Sequence, residues 1–160
     1  MKLVKIIFVF LITIIAAQEH VKAQYCGDFY NHKNCRVYSS FDYQPYGQRK
    51  GALLEINKTY EYKLVLYGKK DYKFAICTDS GYGPVHYIIL SANTKQVLYD
   101  NITDNYIESV GFTNENTQNI IIKLNVLSDL EEKDEIKDAF EKRVCVGINI
   151  MWRKIPQIGF

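Results

Sequence analysis

The chain has 160 residues, with 20 lysines and arginines against 18 aspartates and glutamates. That length suits one domain with a real core. The near-balanced charge excludes a nucleic-acid partner, because such binding needs a basic surplus to displace counterions from phosphate.

Residues 1–23 read as a secretory signal peptide. Lys2 and Lys5 give a positive start, residues 6–17 are apolar except for Thr13, and a short polar stretch follows. This stretch of 12 residues would span about 18 Å as a helix. A bilayer core needs about 20 residues, so the segment predicts export and cleavage and no stable membrane insertion afterwards. Val21-Lys22-Ala23 places small or β-branched residues at the −3 and −1 positions, which predicts Gln24 as the mature N-terminus. Lys2, Lys5, Lys22 and Glu19 leave with the signal, so residues 24–160 carry 17 basic and 17 acidic side chains. The exported domain is formally neutral, and the localisation expected is secreted or periplasmic.

All four cysteines, Cys26, Cys35, Cys77 and Cys145, lie in the mature part. An even count in an exported chain points to two disulfides, with three possible connectivities. The cysteine spacing and the two remaining histidines, His32 and His86, do not match a zinc pattern. No cofactor or metal is expected.

Residues 25–51 read as irregular, rich in aromatics and in turn formers such as Asn31, Asn34, Pro45 and Gly47. Short alternating segments follow. Residues 59–67 put Tyr60, Tyr62, Leu64 and Leu66 on one face, and Gly68-Lys69-Lys70-Asp71 reads as a hairpin-type connection. Tyr72, Phe74 and Ile76 then share a face, opposite Lys73, Ala75 and Cys77. Residues 86–92 and 96–99 are the next strands, and residues 106–112 point Val110 and Phe112 inward. Ile120, Ile122, Leu124 and Val126 form a clean inward face, and Val144, Val146, Ile148, Ile150 and Trp152 form the last. Period-two alternation repeated over so many segments marks sheets with one buried face. The fold class predicted is all-β, an antiparallel, jelly-roll-like β-sandwich over residues 24–160.

Residues 128–142 differ. Seven acids stand against Lys133, Lys137 and Lys142, Ser128 and Glu131 match a capping box, and Ile136 and Phe140 share a helical face. One short helix is predicted near 129–142, with its acids on a solvated face, because the glycine-containing calcium-loop pattern is missing.

Catalytic motifs are missing from the sequence: there is no nucleophile elbow, no metalloprotease helix pair and no phosphate-binding glycine loop. A non-enzymatic binding module is therefore expected. Its partner would be a protein or a glycan; the rivals are a small cell-wall or glycan hydrolase and a lipid-binding sandwich. All 13 tyrosines lie in the mature domain, and tyrosine suits partly wet contact surfaces. The densest group, Tyr38, Phe41, Tyr43 and Tyr46 beside Arg49, falls in the irregular segment, where binding residues concentrate. These five are the predicted contact residues. Two sequons, at Asn57 and Asn101, would matter only in a eukaryotic secretory route.

The signal ending Lys22-Ala23-Gln24 resembles that of exported proteins of Bacteroidota-type bacteria. The mature chain resembles their short secreted or periplasmic β-sandwich proteins, distantly similar to pre-peptidase C-terminal-like domains. Gly47-Gln48, Gly68-Lys69-Lys70-Asp71-Tyr72, Tyr99-Asp100-Asn101 and Cys145-Val146-Gly147-Ile148-Asn149-Ile150 carry that resemblance. It implies a sandwich and carries over no catalytic residue.

For the disulfides, alternation turns both Cys77 and Cys145 off the core face. Two adjacent strands would bring their Cα atoms within the roughly 4.4–6.8 Å that a bridge requires. Cys26 and Cys35, separated by a short loop, would then pair with each other.

Overall fold

The computed structural model describes residues 26–37, 42–79, 83–128 and 142–155. The signal segment and nearly all of the helix expected near 129–142 lie outside these residues. Nine strands are described: β1 (Gln44–Pro45), β2 (Lys50–Glu55), β3 (Tyr60–Leu66), β4 (Lys70–Thr78), β5 (Val85–Ser91), β6 (Val97–Asp100), β7 (Ser109–Asn114), β8 (Gln118–Val126) and β9 (Arg143–Lys154). They form two antiparallel sheets. In the first, β7, β4 and β9 are neighbours, and the far side of β9 pairs with β1 near its end and β2 near its start. The second runs β3-β8-β5-β6. The expected sandwich is the one observed.

Alternation explains which residues face inward. Tyr72, Phe74, Ile76 and Ile150 from the first sheet meet Leu66, Tyr87, Ile89, Ile120 and Ile122 from the second, all fully buried. Removing such side chains from water contributes about 1.5–3 kcal/mol each. Trp152 also lies on the inward face but is only half buried, packing against the margin of this core.

Several sequence expectations need correction. The 68–71 turn does not close a hairpin, because β3 and β4 lie in different sheets. The turn crosses between them and interlocks with the β7–β8 connection. Lys69 takes φ 56°, the amide of Gly68 donates to Thr117 Oγ1, and Asn114 Nδ2 donates to the carbonyls of Leu66 and Tyr67. β7 begins at Ser109 rather than 106, since Asn105 and Tyr106 both adopt left-handed backbone, φ 52° and 59°. The segment read as irregular contains β1 and the first two residues of β2.

The disulfide pairing differs as well. Cys26 bonds Cys145 and Cys35 bonds Cys77, with Cα separations of 5.2 and 5.3 Å. β4 and β9 are adjacent as expected, but their register sets Cys77 opposite Gly147, two residues from Cys145. Diagonal neighbours across a sheet sit about 7–8 Å apart, beyond disulfide reach. Both sulfurs point outward and find the N-terminal segment lying across the sheet. That strap is built from two 3-10 turns, Phe29–Asn31 and Lys33–Cys35, and its Phe29 packs with the four cysteines and Leu53 in a second small core. Gly51 and Gly147, opposite one another in the β2–β9 ladder, leave the sheet bare beneath it. A Cβ at Gly147 would meet Cys35 Sγ and the Tyr30 backbone, and one at Gly51 would meet the backbone of Cys26 and Phe29. Asn149 Nδ2 donates to Cys35 O at 2.8 Å and Asn34 Nδ2 to Thr78 O at 3.2 Å. This cover is why Ala75 and Cys77, on the outer face of β4, are buried.

Candidate binding face

The five predicted contact residues are distributed unevenly. Tyr38 and Phe41 lie outside the described residues. Tyr46, immediately after β1, turns into the core at 6% exposure. Its hydroxyl donates to Val65 O at 2.5 Å, and its ring meets Tyr72 edge-on at 5.5 Å. Burial, reinforced by Tyr72 and Tyr67, pushes its phenol well above the ordinary range. Tyr46 thus closes the sandwich and presents almost nothing to a ligand.

Tyr43 and Arg49 stay at the surface, half buried. The Arg49 guanidinium lies 4.8 Å from the Tyr30 ring centroid, and its Nη1 donates to Asn31 Oδ1 at 3.4 Å. It therefore borders the strap. Tyr43 sits further along the sheet, against the outward side chains of β4 and β9. The Lys73 ammonium lies 4.8 Å and the Arg153 guanidinium 4.9 Å from its centroid. Arg153 is fixed in turn by Asp71, Nε to Oδ2 at 2.9 Å, and by Asp42 at 3.5 Å. Thr113 Oγ1 donates to Asp71 at 2.7 Å. That hydroxyl and then Arg153 hold the Asp71 carboxyl below its usual range, outweighing the opposing effect of burial. Around the end of β9, Lys70 covers the Trp152 ring at 3.6 Å and lies 5.1 Å from that of Tyr67. The outer face is thus the Tyr43 ring between two cations over an anchored carboxylate, whereas Trp152 and Lys70 lie on the inward side of the same sheet. Of the residues on this face, clustering along the sequence singled out Tyr43 and not Asp71, Lys73 or Arg153, although alternation alone turns all three off the core face.

The other tyrosines explain their abundance by what their hydroxyls do. Tyr60 Oη accepts from the Glu55 amide, Tyr62 Oη donates to Gln48 O, and Gln48 Oε1 accepts from the Val65 amide. With Tyr46 on the Val65 carbonyl, these bonds seal the outer edge of β3 to the β1–β2 segment. Asn101 is fully buried: its Oδ1 accepts from the Tyr87 amide and its Nδ2 donates to the carbonyls of Val85 and Ile107. The second sequon is therefore a structural plug. Asn57 is exposed, with its amide group bonded both ways to the backbone of Ser128.

Between the sheets, the cleft lined by Ala52, Leu54, Tyr60, Tyr62, Leu124 and Val146 measures about 110 Å³. Ligand pockets run to roughly 300–1,000 Å³, so this opening is smaller than that range. His86 Nε2 and Asp100 Oδ1 are 2.9 Å apart, and Asp100 also accepts from the Ile102 amide. That pair ties β5 to the end of β6. Among the described residues no three His, Cys, Asp or Glu side chains stand together as metal ligands, and no helix is long and apolar enough to cross a membrane.

No family model matches the chain, and no curated protein matches it. Among solved structures it is similar to the periplasmic g-type lysozyme inhibitor PliG of Aeromonas hydrophila, at 9% identity and a TM-score of 0.41, over 73% of this chain and 91% of that one. A likeness at that level carries no weight for function.

Proposed function

We propose that this chain is an exported, non-enzymatic module that binds a protein partner through the Tyr43 face. The observation that carries the reading is the Tyr43 ring held between the Lys73 ammonium and the Arg153 guanidinium over the Asp71 carboxylate. Tyrosine, tryptophan and arginine are the side chains most enriched at interface hot spots. Here Asp71 and Asp42 hold the arginine in place before any partner arrives, which lowers the ordering cost of association. Export is supported by the signal-like first segment and by four oxidised cysteines, since disulfides persist in oxidising compartments.

A glycan partner is the second reading, favoured by the same aromatic ring. Sugar stacking needs an open ring face, and an ammonium and a guanidinium already lie over the Tyr43 ring, so protein contact is the better fit. Immobilised mature protein should retain one partner from an envelope extract, Tyr43→Ala should lose it without altering thermal unfolding, and a glycan array should stay silent. Retention unchanged by Tyr43→Ala, or a strong glycan signal, would count against the reading.

A further inference from the structure

The end of the sandwich where the chain crosses from β3 to β4 collects lysines. Lys70, the first residue of β4, stands opposite Lys154, the last of β9, in the ladder between those strands. Residues directly opposed in this way point to the same side of a sheet, with Cβ atoms about 4.5–5.5 Å apart, and like charges there destabilise the pairing. Lys69 joins the corner, because the Ile155 amide donates to its carbonyl. Among the described residues the ion pairs are those of Lys58, His86, Lys123 and Arg153, so none of these three lysines has a carboxylate partner. Three acids are near. Glu115 accepts from the Lys69 amide through its backbone carbonyl, while Asp71 and Asp42 are engaged by Arg153.

The fold does not account for the opposed lysines. Lysine blunts the exposed edges of sheets, but β4 runs between β7 and β9, and Lys70 has Asn114 on one side and Lys154 on the other. The Lys70 ammonium covers the Trp152 ring at 3.6 Å, a contact that a lone lysine makes equally well. Lys154 is exposed, and among the described residues its ammonium has no ion pair or ring to compensate the repulsion.

Beside Lys154 the surface is hollow. A recess lined by Asp42, Gln44, Trp152, Arg153 and Lys154 measures about 340 Å³, inside the roughly 300–1,000 Å³ of small-molecule sites. Its lining sets a cation beside groups that bond hydroxyls: the Gln44 amide, exposed on β1, and the Asp42 carboxylate, whose Oδ2 meets Arg153.

Charge selects the occupant. Three lysines fall short of the about four to eight basic residues that mark a surface for anionic membranes. The 17 basic and 17 acidic side chains of residues 24–160 leave no surplus for nucleic acid. Lysine binds phosphate as a point charge, whereas the arginine fork matches carboxylates, and the fork present here already holds Asp71 and Asp42.

We propose that Lys70 and Lys154 bind the phosphate of a small sugar phosphate, with the sugar hydroxyls against Gln44 and Asp42. The phosphate brings negative charge to two ammoniums that otherwise repel, and the recess takes the sugar. Lys70 and Lys154 lie on the inward side of the sheet, opposite to Lys73, so failure here leaves the protein-binding reading standing.

The probe is glucose 6-phosphate, with glucose and inorganic phosphate as its two halves, titrated into the mature protein. Fluorescence of Trp152, the one tryptophan in the chain, and amide NMR should show saturable changes at Trp152, Lys154, Lys70 and Gln44. Affinity should drop at least tenfold in Lys154→Gln and in Lys70→Gln, weaken with added salt, and exceed that of either half by at least tenfold. Because Lys154 is exposed, Lys154→Gln should unfold at the parent's temperature, which separates lost binding from lost fold. No saturable binding, unchanged affinity in Lys154→Gln, or an equal response to glucose overturns the proposal. Inorganic phosphate bound as tightly as the ester would mean an adventitious ion only. Tighter binding to vesicles of anionic phospholipid, lost in the same variants, would assign the corner to a membrane surface; either result also overturns it.

Discussion

Replacing Cys35 and Cys77 together by alanine removes the bridge that closes a 42-residue separation and pins the strap to β4. In the chain-entropy treatment a loop of that size restrains the unfolded chain by about 4 kcal/mol. A domain of this size is stable by roughly 5–15 kcal/mol in total. Both cysteines are fully buried in the small outer core, so the alanines also leave unfilled space beside Phe29 and Gly147. The double variant should therefore unfold at markedly lower urea, read by Trp152 fluorescence under non-reducing conditions. It should also show a steeper denaturant slope, because an unfolded chain with one fewer cross-link exposes more surface. Non-reducing peptide mapping of the parent protein should link the Cys26 peptide to that of Cys145 and the Cys35 peptide to that of Cys77. A stability loss under about 1 kcal/mol, well short of the figure from chain entropy, would refute the reasoning. A Cys26–Cys35 peptide as the main species would refute the connectivity.

Asn101→Ala strands the Tyr87 amide and the carbonyls of Val85 and Ile107. At about 1–3 kcal/mol for each unsatisfied buried group, it should cost about 3 kcal/mol or more in urea unfolding. Mass spectrometry should find Asn101 unglycosylated even after passage through a eukaryotic secretory route. Tyrosinate absorbance should show Tyr46, Tyr62, Tyr72, Tyr87 and Tyr99 ionising late, since burial raises each phenol above 10.0 and takes Tyr99 to about 12. Their neutral forms stabilise the fold below pH 10, and that contribution drains as pH rises toward 12; a titration in which all tyrosines ionise together near pH 10 before unfolding contradicts this. Asp71 has the opposite sign: its carboxyl is depressed from 3.8, so its contribution is present above that pH and lost in acid. Asp71→Asn should flatten the acid limb of the stability curve, and an unchanged limb would show that the Thr113 and Arg153 contacts contribute nothing in solution.

The strands that alternate cleanly were legible because each has one face on the core. β8 shows this best, with Ile120, Ile122, Leu124 and Val126 inward. β2 escaped because its period is blurred: Lys50 and Ala52 lie on the inward side, and Gly51 is there for the strap rather than for the sheet. The cysteine pairing was beyond the pattern of any single strand. It depends on a two-residue offset between β4 and β9 and on a segment crossing the outer face, and neither leaves a periodic signal. The candidate face was half legible for a related reason. Clustering along the chain picked out Tyr43, yet it also picked out Tyr46, which sits on the opposite side of the backbone, in the core. Lys73 and Arg153, far away in sequence, complete the face only because β4 and β9 are neighbours.

The crossed connectivity has a consequence for how the protein matures. Cys26 and Cys35 are the first two thiols along the chain, and neither is the other's native partner. Loop-closure probability falls with about the three-halves power of length. In an unstructured chain Cys26 therefore meets Cys35, nine positions away, roughly 50 times more often than Cys145, 119 positions away. Rapid oxidation on emergence would thus trap the wrong pair. Correct maturation requires either that oxidation wait for β9 or that a thiol–disulfide exchange catalyst reshuffle the early bridge. Yield in a recombinant host should accordingly depend more on isomerase than on oxidase.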